Sequence, residues 1–195
     1  MRKTILITGC SSGLGEKLAE VLSSRGHKVY AGARNPEDIK IRGKLVRPVK
    51  LDITKESQCE DTVSYIIEKE GKIDVLINNA GYSIVGPTSD FTPQDYLNIL
   101  DTNTVGVFRL VRLALPQMKK QKSGKIINIT SLNGLISLPN FGLYSSSKFA
   151  LEALGQALRY ELAKDNISVT NVAPGAILSK SLKGKSLPHR SAREK

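Results

Sequence analysis

Short apolar runs alternate along the chain with longer segments whose apolar residues recur every three or four positions. Residues 4–8 (Thr-Ile-Leu-Ile-Thr) form a β-rich run that ends in a Gly/Ser loop. Residues 14–25 then place Leu14, Leu18, Val21 and Leu22 at helical spacing. Residues 29–33 and 45–51 read as a second and a third strand. A helix follows over 55–70, with Val63, Ile66 and Ile67 on one face, and a buried-type strand over 75–78. The spacing predicts one long helix over 93–119, opened by Pro93, with Leu97, Leu100, Val107, Leu110 and Leu113 turned inward. A fifth strand over 125–130, a helix over 144–164 and a sixth strand over 167–172 complete the series. The strands are apolar on both sides and alternate with amphipathic helices. Parallel strands joined by helical crossovers, covered on both faces, produce that pattern. The fold class is therefore α/β, a doubly wound parallel sheet.

Composition narrows this only a little. The 195 residues suit one domain with a sizeable core, placed at 1–178, followed by a basic and mobile tail at 179–195. Hydrophobic residues at 40% and charged residues at 24% fit a soluble globular protein. Lys and Arg interrupt every apolar stretch, so no membrane span is expected, and no signal-peptide core follows Met1-Arg2-Lys3. Two cysteines, Cys10 and Cys59, make no disulfide framework and point to a reducing, cytoplasmic setting. Cys10 reads as a small filler. His27 and His189 fit no ligand pattern, so no metal is expected.

The formal net charge of +11 raises the question of nucleic acid. Residues 179–195 hold six Lys or Arg against one Glu, and the remaining excess is dispersed without aromatic interleaving. A solvated surface with a basic tail accounts for that distribution, and no nucleic-acid partner is expected.

The candidate chemistry begins at Thr8-Gly9-Cys-Ser-Ser-Gly13-Leu14-Gly15, between the first strand and the first helix. Gly9 permits a tight turn, and Gly13 and Gly15 let backbone approach a pyrophosphate. Free N–H groups and the positive dipole end of the helix favour the anion, and Ser11 and Ser12 add hydroxyl donors. No Gly-Lys-Ser/Thr follows, so this is not a P-loop. The placement predicts a Rossmann-like sheet of six strands, order 3-2-1-4-5-6, binding a dinucleotide. At the end of strand two, Ala33 occupies the position where an acid would grip a ribose 2′-hydroxyl, and Arg34 follows. A guanidinium there suits a 2′-phosphate, which favours NADP(H) over NAD(H).

Four motifs in order carry a wider likeness: the Gly loop, Asn78-Asn79-Ala80-Gly81, Tyr144-x-x-x-Lys148 and Pro174-Gly175. Together they resemble the short-chain dehydrogenase/reductase family from Thr4 to about Ser179. The resemblance implies a role for each matching position. Asp52 and Ile53 would contact adenine. Asn79, Ala80 and Gly81 would line the adenosine ribose and stabilise the sheet. Pro174, Gly175, Ile177 and Ser179 would cradle the nicotinamide amide, with Ser179 standing where the family has threonine. Asn103 matches the asparagine that holds a relay water, Ser131 the substrate-orienting serine, Tyr144 the acid/base and Lys148 its partner. The resemblance also implies a homo-oligomer paired through the helices at 93–119 and 144–164.

Chemistry supports the Tyr144–Lys148 assignment. Residues four apart share a helix face. A free tyrosine titrates near roughly 10, and an adjacent ammonium favours the phenolate. The expected activity is carbonyl–alcohol interconversion on a small-molecule substrate, with Tyr144 moving the proton, Ser131 hydrogen-bonded to the reacting oxygen and the hydride supplied by the cofactor. The family continues through a substrate-covering segment where this chain carries a basic tail. A second reading is therefore a truncated member that binds cofactor but is catalytically impaired.

Overall fold

In a computed structural model, residues 1–176 are described; Ile177, Ser179 and the expected basic tail lie outside them. Six strands form one parallel sheet: β1 Thr4–Thr8, β2 Lys28–Ala33, β3 Val46–Lys50, β4 Val75–Asn78, β5 Gly124–Ile129 and β6 Ile167–Val172. Their order is β3-β2-β1-β4-β5-β6, as expected. The chain crosses from β1 to one edge through β2 and β3, then returns past β1 to β4, β5 and β6. From the carboxyl ends of β1 and β4 the chain leads off to opposite sides of the sheet, and doubly wound sheets place ligands where the order reverses in this way.

The helices are α1 Gly13–Ser24, α2 Glu56–Glu70, α3 Pro93–Leu100, α4 Gly106–Gln121 and α5 Gly142–Leu162. Strand residues alternate between two cores. Leu6, Leu76 and Ile126 face α2, α4 and α5, where Val63, Ile66, Leu110, Met118, Leu151 and Leu158 close over them. Ile5, Ile7, Val29, Ala31 and Ile77 face the other way and pack with Ala19 of α1. Both sides of the central strands are dry, which accounts for their unbroken apolar sequences.

The long helix expected over 93–119 is not continuous. Residues Asp101–Val105 form a π-turn between α3 and α4, with Gly106 N–H bonded to Asp101 O. A π-turn inserts one residue into the helical repeat. The inward face consequently shifts, so that Ile99 is fully buried while Leu97 is 58% exposed. The simple spacing had assigned Leu97 to the core. The same turn carries Asn103, which is completely buried.

Candidate active site

The first wall of the site is the Gly loop. Gly9 has φ +71°, in the left-handed region that favours glycine. A Cβ on Gly15 would stand 2.2 Å from the carbonyl oxygen of Gly9 and 2.5 Å from Nδ2 of Asn79, so α1 enters as close to the loop as backbone allows. Ser12 is the first-turn cap residue of α1, yet its side chain caps none of that turn's N–H groups. The loop is braced from β4. Thr8 Oγ1 accepts from the N–H of Asn79 (3.0 Å) and of Ala80 (2.8 Å). Asn79 Nδ2 donates to the carbonyls of Thr8 (2.9 Å) and Gly9 (3.2 Å). The Asn79 side chain thus holds the loop in shape. Cys10 lies under the loop with its thiol donating to Ile7 O at 3.3 Å. Burial pushes that thiol up to about 12, which makes it inert.

One flank is formed by the ends of β2 and β3. Arg34 is exposed immediately after β2. Asp52 is half-buried; burial raises its pKa, but hydrogen bonds from Thr54 N–H (3.0 Å) and Thr54 Oγ1 (2.7 Å), with the Arg34 charge, hold it below the ordinary carboxylate range. Ile53 is 4% exposed and packs against Gly106. Its side chain belongs to the core, leaving only its main chain to meet a ligand. Arg109 of α4 ties this corner down. It donates to Ile53 O (3.1 Å) and to Asp101 of the π-turn (2.7 Å), and pairs with Glu56 at 3.2 Å.

The second wall comes from α5 and the π-turn. Lys148 Nζ lies 5.9 Å from the centroid of the Tyr144 ring and donates to Ile129 O at 2.9 Å. Lys148 is 5% exposed. Burial pushes its ammonium down to about 8, with the charge of Glu152 opposing the fall. Asn103 Oδ1 accepts from Tyr82 N–H at 3.0 Å, and its Nδ2 donates to Tyr82 O at 2.9 Å and Ser147 Oγ at 3.0 Å. Both ends of that side chain are committed, so Asn103 locks the loop after β4 onto α5. Between these elements sits Gly81: a Cβ there would lie 3.0 Å from Asn103 Oδ1 and 3.5 Å from Lys148 Nζ. The notch stays open because glycine occupies that position.

Ser131 follows β5 and accepts from Asn133 N–H at 3.1 Å, opening a short 3-10 turn. That turn is fastened on both sides. Gly134 packs against the main chain of Lys148, and Leu132 N–H donates to Pro174 O at 3.0 Å. Gly175 lies alongside Leu132. The fold therefore gathers the Gly loop, Gly81, Asn103, Ser131, Lys148, Tyr144 and Pro174 at the carboxyl ends of the strands. Arg34 and Asp52 mark one flank. Sequence reading did not find the bracing roles of Thr8, Ser147 and Arg109. Thr8 and Ser147 were inside quoted motifs, whereas nothing local distinguishes Arg109.

Residues 3–189 match the short chain dehydrogenase family. The chain belongs to the short-chain dehydrogenase/reductase family, whose members are oxidoreductases. It is 43% identical over 172 residues to a 3-ketodihydrosphingosine reductase of Bacteroides thetaiotaomicron, covering 88% of this chain and 62% of that protein. The chain thus spans less than two thirds of that relative's length. A short chain dehydrogenase of Burkholderia cenocepacia in complex with NADP superposes with TM-score 0.87 at 32% identity, over 96% of this chain and 78% of that one. A 3-ketoacyl-(acyl-carrier-protein) reductase of Brucella melitensis complexed with NADH gives 0.89 at 29%, over 93% and 78%. Structural relatives of this fold thus hold either nicotinamide dinucleotide. No helix among the described residues is long and apolar enough to cross a membrane.

Proposed function

We propose that the protein interconverts a carbonyl and an alcohol with NADP(H), using Tyr144 as acid/base. The observation that carries this reading is the buried Lys148 ammonium held 5.9 Å from the Tyr144 ring. When bound, the dinucleotide supplies or accepts the hydride. Gly9, Ser11, Ser12, Gly13, Leu14 and Gly15 would hold its pyrophosphate, Asp52 and the Ile53 main chain its adenine, and Asn79, Ala80 and Gly81 its ribose side. Pro174 and Gly175 would flank the nicotinamide, as would Ile177 and Ser179. The close-packed Gly loop with its unused Ser12 hydroxyl, and the notch at Gly81, fit such a ligand.

In the reducing direction Tyr144 donates its hydroxyl proton to the developing alkoxide. Lys148 stabilises the phenolate left behind, because an adjacent positive charge in a dry site strongly favours the anion. Ser131 donates a hydrogen bond to the same oxygen. Asn103 fixes the turn behind them, so a relay water would be held at its main chain. Arg34 would accept the 2′-phosphate that distinguishes NADP(H); solved relatives with either dinucleotide leave this preference to experiment.

Leu135, Ile136 and Leu138 stand exposed just after Ser131 and suit a hydrophobic carbonyl. The 43% identical relative carries the name 3-ketodihydrosphingosine reductase, and long-chain 3-keto compounds head the panel to assay. Val105, Phe108 and Phe149 are also exposed, on the π-turn, α4 and α5. They would form the face through which two copies pair, and light scattering should then give twice the monomer mass.

The deciding experiment is NADPH oxidation with that panel by wild type and Tyr144→Phe. The variant should lose roughly 10²–10⁴ in kcat while binding NADPH normally. Equal turnover by the two proteins would overturn the assignment.

A further inference from the structure

A row of amides, buried at Asn78 and Asn128 and half-buried at Asn171, runs across the sheet beside the site. Asn78, Asn128 and Asn171 are paired neighbours in the registers of β4, β5 and β6. Asn78 Nδ2 donates to Asn128 Oδ1 at 2.9 Å, and Asn128 Nδ2 to Asn171 Oδ1 at 3.0 Å. Asn171 Nδ2 then donates twice to Glu152 of α5, to its carbonyl at 3.1 Å and to its carboxylate at 2.7 Å. Every amide in the row points its N–H groups toward that carboxylate. A flipped Asn171 would set its oxygen against the charge, so Glu152 fixes the direction of the whole row. The other end shows the consequence: Asn78 Oδ1 is buried without a hydrogen-bond partner.

Glu152 is 8% exposed and lies one turn beyond Lys148 on the same helix. Buried carboxylates and ammonium groups are costly unless paired and hydrogen-bonded. Here the row of amides supplies hydrogen bonds to Glu152, and Lys148, four residues before it, is the cation nearest to it along α5. The packing is close enough to hold this arrangement: a Cβ on Gly155 would come within 2.0 Å of Asn171 Oδ1.

We infer that Glu152 is a positioning residue of the Tyr144–Lys148 pair, a buried counter-charge that keeps Lys148 protonated beside Tyr144. This rests on the proposed proton-transfer role of that pair. Other groups are poor substitutes. β6 carries no charged side chain, β5 only Lys125 at its far end, and the turn after Ser131 none. On the π-turn Asp101 is bound to Arg109, and on α3 Asp95 is bound to Thr92. Tyr96 of α3 is exposed, burial pushes the Tyr82 hydroxyl of the loop after β4 up from its ordinary value, and Lys164 and Asp165 lie beyond the far end of α5. On α5 itself Tyr144 is the partner; Arg159, about two turns past Glu152, lines one cavity with it, but it is exposed and its Nε is bound to Val169 O at 3.0 Å, and Tyr160 and Glu161 are exposed.

The test follows Lys148 directly, in the full chain without cofactor, by NMR of lysine labelled with ¹³C at Cε. The Lys148 signal is identified by its absence in Lys148→Met. Glu152→Gln preserves volume and can still accept from Asn171, but removes the charge. Its Lys148 midpoint should fall by about half a pH unit or more. Asn171→Ala leaves the carboxylate untied and should move the midpoint the same way by less. An unchanged midpoint in Glu152→Gln overturns the inference; if that variant does not fold, an unchanged midpoint in Asn171→Ala does so. Where turnover is measurable, the alkaline limb of kcat should move with the midpoint. Failure of the wild type to turn over any carbonyl would count against the proposed function and leave the Lys148 titration as the test of Glu152.

Discussion

Lys148 donates a 2.9 Å hydrogen bond to the carbonyl oxygen of Ile129 while standing almost fully buried beside the Tyr144 ring. A cation kept dry should weaken the fold that holds it. Its pKa falls from 10.5 to about 8 on folding. The unfolded chain therefore binds the extra proton between those values, and stability rises with pH across that window. Lys148→Met should stabilise the protein at pH 7 by roughly 2 kcal/mol, the charge-burial cost less the lost hydrogen bond. That gain should shrink as pH climbs from about 8 toward 10.5. Urea unfolding at pH 7 and pH 10 checks it; an equal gain at both would show that the buried charge is not the cause.

Arg34 is exposed at the end of β2, and its charge helps hold Asp52 ionised. Arg34→Asp should weaken NADPH by roughly 10- to 100-fold, because a charge-assisted contact to phosphate becomes a repulsion. NADH affinity should change little. Fluorescence titration of both nucleotides decides it, and parallel losses would rule out a 2′-phosphate contact.

Gly15→Ala adds a methyl group 2.2 Å from the carbonyl oxygen of Gly9. Alanine is the better helix former, yet rigid backbone lies in its path, so α1 must back away from the loop. We expect a loss of about 1–3 kcal/mol in stability, as for other overpacked positions, together with weaker dinucleotide binding. Thermal melting with and without NADPH measures both, and an unchanged protein would mean that the close approach is unimportant.

Arg109 joins the corner after β3 to the π-turn through Ile53 O, Asp101 and Glu56. Arg109→Met should cost about 1–3 kcal/mol by leaving part-buried acceptors unpaired. Amide exchange should accelerate at residues 52–54 and 101–105 together. Acceleration confined to one segment would show that Arg109 does not couple them.

The chain's own pattern determined much of this protein. Six apolar runs, all but the second and third separated by amphipathic helices, required a parallel sheet covered on both faces. Gly9 and Gly15 on a strand-to-helix turn marked the nucleotide end of that sheet, and the spacing of Tyr144 and Lys148 placed them on one face of α5. These features are local, set by the helical repeat, by strand length and by the special geometry of glycine, so they can be read within a few residues.

Tertiary structure alone decided the rest. Asn78, Asn128 and Asn171 are separated by 50 and 43 residues, and only strand register makes them hydrogen-bonded neighbours. Arg109 meets Ile53 across 56 residues. The π-turn that buries Asn103 and exposes Leu97 arises where α3 and α4 must both pack, and it breaks the periodicity from which the inward face had been inferred. The sequence determined which polar groups α5 carries. Burial and register decided that Lys148 would be dry and braced at Ile129, and that Glu152 would be tied to Asn171, because desolvation and long-range hydrogen bonds exist only once distant segments are packed together.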